Sequence, residues 1–157
     1  MAFTNSNDQI TGRKPPRIPA GVDLVHERFT LTMATGDMAL NTIGQVGVLP
    51  AGCIPVDVRI GGSDPDASTA ALVMQVGVWD GSGASLSTAA ADGGAHWGVS
   101  TAVTAAFDQA LTRNGTAMLT VTPTQADRKI GVKVTTAPTT AQAWTMYLDV
   151  WYRNAAA

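Results

Sequence analysis

A chain of 157 residues with a single cysteine fits one domain plus an appended arm, and it is long enough to bury a core without disulfides or metal. Its residues are 45% hydrophobic and 14% charged, well under the usual charged quarter, and the formal net charge is −2. That balance excludes a global electrostatic drive toward nucleic acid or an anionic membrane. The low charge density has two readings: a surface partly covered in a close-packed assembly, or one simply rich in Ala, Thr and Gly.

The lone Cys53 has no internal partner, which fits a protein made and assembled in a reducing cytoplasm. Met1-Ala-Phe-Thr-Asn-Ser-Asn-Asp8 lacks the basic start and apolar stretch of a signal peptide, and no apolar run approaches bilayer-spanning length. The expectation is a soluble, unexported chain.

Residues 1–22 form the first unit. They are polar and proline-rich, and Arg13-Lys14-Pro15-Pro16-Arg17-Ile18-Pro19 carries three positive charges. Prolines fix φ and disfavour helix in the residue before them, so an extended N-terminal arm is predicted. Stretched out, about 20 residues reach on the order of 70 Å, enough to cross a neighbouring molecule. A disordered tail is the other reading. Residues 23–157 form the second unit, a β-sandwich domain.

Leu24–Met33 is the first predicted strand, with Val25, Phe29, Leu31 and Met33 facing one way and His26, Arg28, Thr30 and Thr32 the other. Gly36-Asp37 is a turn. Residues 38–49 are extended, with Gly44 and Gly47 marking a bulge or a close backbone approach. Leu49-Pro50-Ala51-Gly52 turns the chain into Ile54–Ile60, where Ile54, Val56, Val58 and Ile60 are expected inward and Asp57 and Arg59 outward. Gly61–Asp66 is a loop.

Leu72–Trp79 alternates again, and Asp80–Gly94 is a long loop of small residues around Leu86. Val99, Ala102, Val103, Ala106, Phe107 and Ala110 recur at helical spacing and end near Asn114-Gly115, so one short helix is predicted there. Residues 117–122, 129–135 and 143–153 supply three further strands. In the last of these Trp144, Met146, Leu148, Val150 and Tyr152 share an apolar face opposite Thr145, Tyr147, Asp149, Trp151 and Arg153. Seven or eight short strands joined by long crossings predict an all-β, jelly-roll-like antiparallel β-sandwich with at most one short helix.

Candidate chemistry is sparse. His26, His96 and Cys53 are too few for a zinc centre unless they converge, and Asp64, Asp66 and Asp92 fit no EF-hand spacing and read as turn residues. Ser82, Ser85 and Ser87 lack the strand–turn–helix setting of a nucleophile elbow. The reading is therefore non-enzymatic, with no catalytic, cofactor or metal residue. Trp144 is assigned to the core. Trp151 and Tyr147 lie on the opposite face, where they are packed by the arm, offered to a partner protein or stacked on sugars.

The arm ending in Arg17-Ile18-Pro19-Ala20-Gly21, the segment from Gly47 through Leu49-Pro50-Ala51-Gly52 to Val58, the strand Met74–Gly81, and the close on Leu148-Asp149-Val150-Trp151-Tyr152-Arg153 together resemble the small β-sandwich decoration (cement) proteins of tailed bacteriophages. The resemblance covers most of residues 20–153 in layout. It implies a jelly-roll virion protein, assembled in the host cytoplasm, that binds the capsid exterior and stabilises it by bridging major capsid protein subunits. A homo-oligomer (dimer or trimer) is expected, with no direct nucleic acid, no membrane and no cofactor. Arg13, Lys14, Arg17 and Ile18 of the arm, with Tyr147 and Trp151, are the expected interface residues. The alternative is a phage tail or fibre domain, or a lectin-like sandwich recognising host carbohydrate.

Overall fold

The computed structural model describes residues 2–21, 23–68, 71–83, 85–103 and 105–155. Met1 and Val22 of the predicted arm lie outside them. The chain forms β1 (Leu24–Met33), β2 (Ile43–Leu49), β3 (Cys53–Gly62), β4 (Val73–Trp79), β5 (Gly98–Val99), β6 (Phe107–Ala110), β7 (Thr112–Arg113), β8 (Arg128–Thr136) and β9 (Trp144–Asn154), with three short 3-10 turns between them.

Two antiparallel sheets result, one ordered β1-β9-β3-β6 and the other β2-β8-β4-β5-β7. The pairing is nested: β1 pairs with β9, β2 with β8, β3 with β6 and β4 with β5. A long hairpin rolled up on itself produces this order, so the predicted jelly-roll-like sandwich is the observed fold.

Period-two alternation places the core. Phe29, Leu31 and Met33 of β1 meet Met146, Leu148, Val150 and Tyr152 of β9 on one inner face, and Met74, Val76, Ile130, Val132 and Val134 line the other. Each such side chain, fully buried, contributes about 1.5–3 kcal/mol before entropy is charged against it. β1 and β9 stay in unbroken register from Leu24 opposite Arg153 to Met33 opposite Trp144. That register keeps every even-numbered residue of β1 on the outside.

Bulges modify the alternation elsewhere. In β2 the register shifts between Gln45 and Gly47, and Gly47 sits under the Phe29 ring, where an added Cβ would come within 2.6 Å. The expected bulge falls beside Gly47, and the close approach at both glycines is made by an aromatic side chain, Phe29 at Gly47 and Phe3 at Gly44. In β3 the register shifts between Pro55 and Asp57, so the phase flips at Val56. Cys53 and Pro55 are buried while Ile54 and Val56 are only partly so, which corrects the inward placement expected of those two.

Two further expectations fail. The predicted helix over residues 99–110 is absent: β5 hydrogen-bonds to β4, Val103 bridges to Leu72, and β6 pairs with the edge of β3. Of that stripe Val103 is buried and Val99 and Phe107 are partly buried, while Ala102, Ala106 and Ala110 are exposed, so the residues at helical spacing share no single buried face. Long-range pairing with two open strands won over the local pattern. The strand expected over residues 117–122 is a 3-10 turn, Ala117–Thr120, closed by Leu119 N–H to the Thr116 carbonyl at 2.9 Å. It drops Met118 and Val121 into the core and leaves Leu119 in solvent.

The outer faces of the two sheets differ. On the five-stranded sheet the loop after β4 folds back, and buried Leu86 packs over Gly77 and Gly131, which face each other across β4 and β8. Arg128 rivets this loop down, donating to the carbonyls of Cys53 (2.8 Å) and Ala91 (3.0 Å) and pairing with Asp92 at 3.3 Å. Asp66 pins another crossing, accepting from the backbone of Thr139 at 2.9 Å and Thr140 at 3.0 Å as well as from Ser68. The four-stranded sheet carries no such loop among the hydrogen bonds of the described residues, and its outer face is the open one.

Candidate interaction surfaces

The open face is built from three adjacent strands in register. His26 of β1 lies opposite Trp151 of β9, which lies opposite Asp57 of β3; one step along, Arg28, Asp149 and Arg59 form the next row. Alternation puts all of them outside. Asp149 stands at the centre and is only 3% exposed. Arg28 grips it with two hydrogen bonds, Nε to Oδ1 at 2.8 Å and Nη2 to Oδ2 at 2.7 Å, and His26 Nε2 lies 2.8 Å from Oδ1.

Burial pushes the Asp149 carboxyl up, but the hydrogen bonds and charges of Arg28 and His26 outweigh it and hold the group below the ordinary carboxylate range. The Arg28 guanidinium rises in turn, chiefly through its hydrogen bonds to Asp149.

This carboxylate orders the aromatic residues around it. With Arg28 fixed, its guanidinium lies 4.2 Å over the Tyr147 ring. With His26 fixed, its imidazole stacks on Trp151, the centroids 4.5 Å apart and the planes 18° from parallel. Tyr147 also covers Gly61, where any Cβ would collide with the phenol, and its hydroxyl donates to the Phe107 carbonyl at 3.4 Å. Around the rim, Arg59 pairs with Asp108 at 3.1 Å and Arg113 with Asp57 at 3.3 Å. The result is a rigid patch of Trp, Tyr, Arg and His, the composition from which binding hot spots are made.

The expected interface residues fall into two places. Tyr147 and Trp151 are together on the open face, both half-buried. Arg13, Lys14, Arg17 and Ile18 lie in the N-terminal segment, all exposed. That segment runs back along its own sandwich. Thr4 donates from N (2.8 Å) and Oγ1 (2.7 Å) to Asp37, Asn5 Nδ2 donates to the Thr32 carbonyl at 2.7 Å, and Asn7 Nδ2 donates to the Val46 carbonyl at 2.7 Å. Phe3 presses onto Gly44 so closely that a Cβ there would enter the ring.

Further along, Lys14 pairs with Glu27 at 3.6 Å and the Tyr152 hydroxyl donates to the Arg17 carbonyl at 2.7 Å. Glu27, 4% exposed on the inward face of β1, also accepts from Tyr152 at 3.0 Å.

Sequence reasoning missed Asp149, Glu27, Asp37 and Phe3. A signal existed for the first: an acidic residue in the middle of an alternating strand that also carries Tyr and Trp on the same face. For Glu27 the signal was a carboxylate at an apolar phase of β1, opposite the alternation. Asp37 was read only as a turn residue.

His26, His96 and Cys53 do not converge, and no group of three or more His, Cys, Asp or Glu among the described residues could hold a metal ion. Burial raises the Cys53 thiol, which makes it a poor nucleophile. Ser87 donates to Asp92 at 2.6 Å, and Asp92 is itself held by Arg128.

No protein-family model and no curated protein matches the sequence. Among solved structures, the fold matches a chain in the capsid of Ralstonia phage GP4 with a TM-score of 0.74 and 25% identity, over 95% of this chain and 96% of that one. A chain from the capsid asymmetric unit of cyanophage Pam1 aligns with a TM-score of 0.46 and 16% identity, over 89% of this chain and 91% of that one. The match to the GP4 capsid chain supports a virion structural protein.

Proposed function

We propose that this protein is a structural component of a phage virion that binds the outside of the capsid and stabilises the shell by bridging major capsid subunits. One observation carries the reading. A jelly-roll body leaves one sheet face open and equips it with Trp151, Tyr147, Arg28 and His26 locked in place by the buried Asp149. Side chains already fixed lose little entropy on binding, so such a face serves a module whose work is to hold other proteins in one geometry. The end-to-end fold match to a chain of a phage capsid points the same way.

A clamp of this kind acts mechanically. Outward load on a shell separates subunits, and a rigid body gripping two of them favours the closed spacing. Several modest contacts made from one body gain from high effective concentration. Carbohydrate recognition on the same face is less favoured, because one face of the Trp151 indole is already stacked on His26 and one face of the Tyr147 ring lies beneath Arg28.

Shells assembled without the protein provide the test. Purified chain is expected to add in stoichiometric number and to raise their disruption temperature, and a Trp151→Ala, Tyr147→Ala double variant is expected to lose most of both effects. Failure of the unmodified chain to bind shells, or glycan binding that disappears on Trp151→Ala, would overturn the proposal.

A further inference from the structure

The N-terminal segment and its seat form a lock and key within one chain. The seat offers an apolar notch at Gly44 and two buried carboxylates, Asp37 and Glu27, together with the outward carbonyls of Thr32 and Val46. The key is Phe3, Thr4, Asn5, Asn7, Lys14 and the Arg17 carbonyl. The segment is in no strand and adds no ladder to a sheet, so it is held by separate side-chain contacts and can leave without unpairing β1 or β2.

Between key and body lies a hinge. Gly21 takes a left-handed φ of +63°, and Asp23 N–H donates to the Ala20 carbonyl at 3.3 Å, closing a tight turn that sends the segment back onto its own sandwich. The side chains flanking that turn are ill suited to solvent. Ile18 is 73% exposed and Leu24 56% exposed, and they are two of the four exposed large hydrophobic residues of the described chain. The closed arrangement leaves both uncovered.

We infer that the segment exchanges between copies: residues 2–17 of one molecule occupy the seat of a second copy, with the turn at Ala20–Gly21 opened. Every copy's arm fits every copy's seat, so the exchanged contacts are the ones already present. The new term is the hinge region, where two opened linkers run together and Ile18 and Leu24 are covered. Residues 2–17 keep their turned conformation in the new seat, and the opened linker from Ile18 to Asp23, on the order of 20 Å when extended, makes the crossing between two copies packed side by side. The inference concerns copies of this chain in solution and stands or falls separately from capsid binding.

Full-length variants test it without any shell. Gly21→Pro cannot adopt the left-handed turn, so it is expected to move the chain from monomer to dimer at concentrations at least tenfold lower than the unmodified protein needs, read by native mass spectrometry. A complementation pair removes dependence on one substitution. Gly44→Leu closes the seat while leaving the arm intact, and Phe3→Ala with Thr4→Ala spoils the arm while leaving the seat intact. Circular dichroism first confirms that both keep the sandwich.

Each alone is expected to be monomeric, and a one-to-one mixture is expected to form the heterodimer. A Gly21→Pro chain that stays monomeric would overturn the inference. So would a mixture without heterodimer at concentrations near the millimolar level that a short tether supplies.

Discussion

Asp149 shows how one side chain can organise a surface. It contributes no apolar area, yet Arg28, His26 and through them Tyr147 and Trp151 take their positions from it. Replacing it with Ala is expected to cost about 2 kcal/mol in urea unfolding, since its two hydrogen bonds with Arg28 and its one with His26 go while the half-exposed Arg28 and His26 rehydrate. Its folded-state pKa is depressed, so its contribution is complete above the unfolded carboxylate value of about 3.9 and is lost as pH falls through the folded value. An Asp149→Asn chain should accordingly show a shallower fall in urea midpoint below pH of about 4.

Tyr152 has the opposite sign. Burial, then the charge of Glu27 and their hydrogen bond, raise its phenol far above the ordinary value. The stability it confers is full below the unfolded tyrosine value of about 10 and declines as pH rises above that. Tyr152→Phe is expected to flatten the alkaline limb of the stability profile, and to cost about 1–2 kcal/mol at neutral pH through its lost hydrogen bonds to Glu27 and Arg17.

Among the elements, β1 and β2 show why glycine positions mattered more than their composition suggests. Gly47 admits the Phe29 ring from the opposing sheet, and Gly44 admits Phe3 from outside. The same strand therefore accepts an aromatic ring on each face, and a bulge at Val46 lies between them. Gly47→Val would force the Phe29 ring off its packed position, so a loss of about 1–3 kcal/mol is expected in thermal unfolding. An unchanged melting temperature would show that the ring has room that the geometry denies it.

The element that sequence reading misjudged, residues 98–113, is instructive for the opposite reason. Its strands are only two to four residues long, and they exist because β3 and β4 present edges to pair with.

At the scale of the whole molecule, nesting dominates. β1 cannot pair until β9 has been made, nor β2 until β8, so most strand contacts join residues far apart in the chain. Loop-closure entropy must be spent before those contacts form, and folding is expected on the millisecond-to-second scale. Stopped-flow refolding followed by tryptophan fluorescence checks this, and complete recovery within microseconds would contradict it. Nesting also explains the asymmetry of the two outer faces. The long crossing after β4 folds back over the five-stranded sheet, while among the described residues the sheet holding β1 and β9 is met only by the N-terminal segment along its β1 edge.

Read without coordinates, the chain discloses what period-two patterning can carry. The strands β1, β4, β8 and β9, the inward faces of β1 and β9, the all-β sandwich and the outward placement of Tyr147 and Trp151 follow from which neighbours alternate. Alternation is local, and water enforces it wherever a sheet has one buried side. Tertiary structure decided the rest: that Val56 bulges, that residues 98–113 make edge strands, that Asp149 meets Arg28, and that Phe3 finds Gly44. Each of these depends on a partner dozens of residues away. A pairing across that distance leaves no period in the sequence, because its energy exists only once the chain has closed.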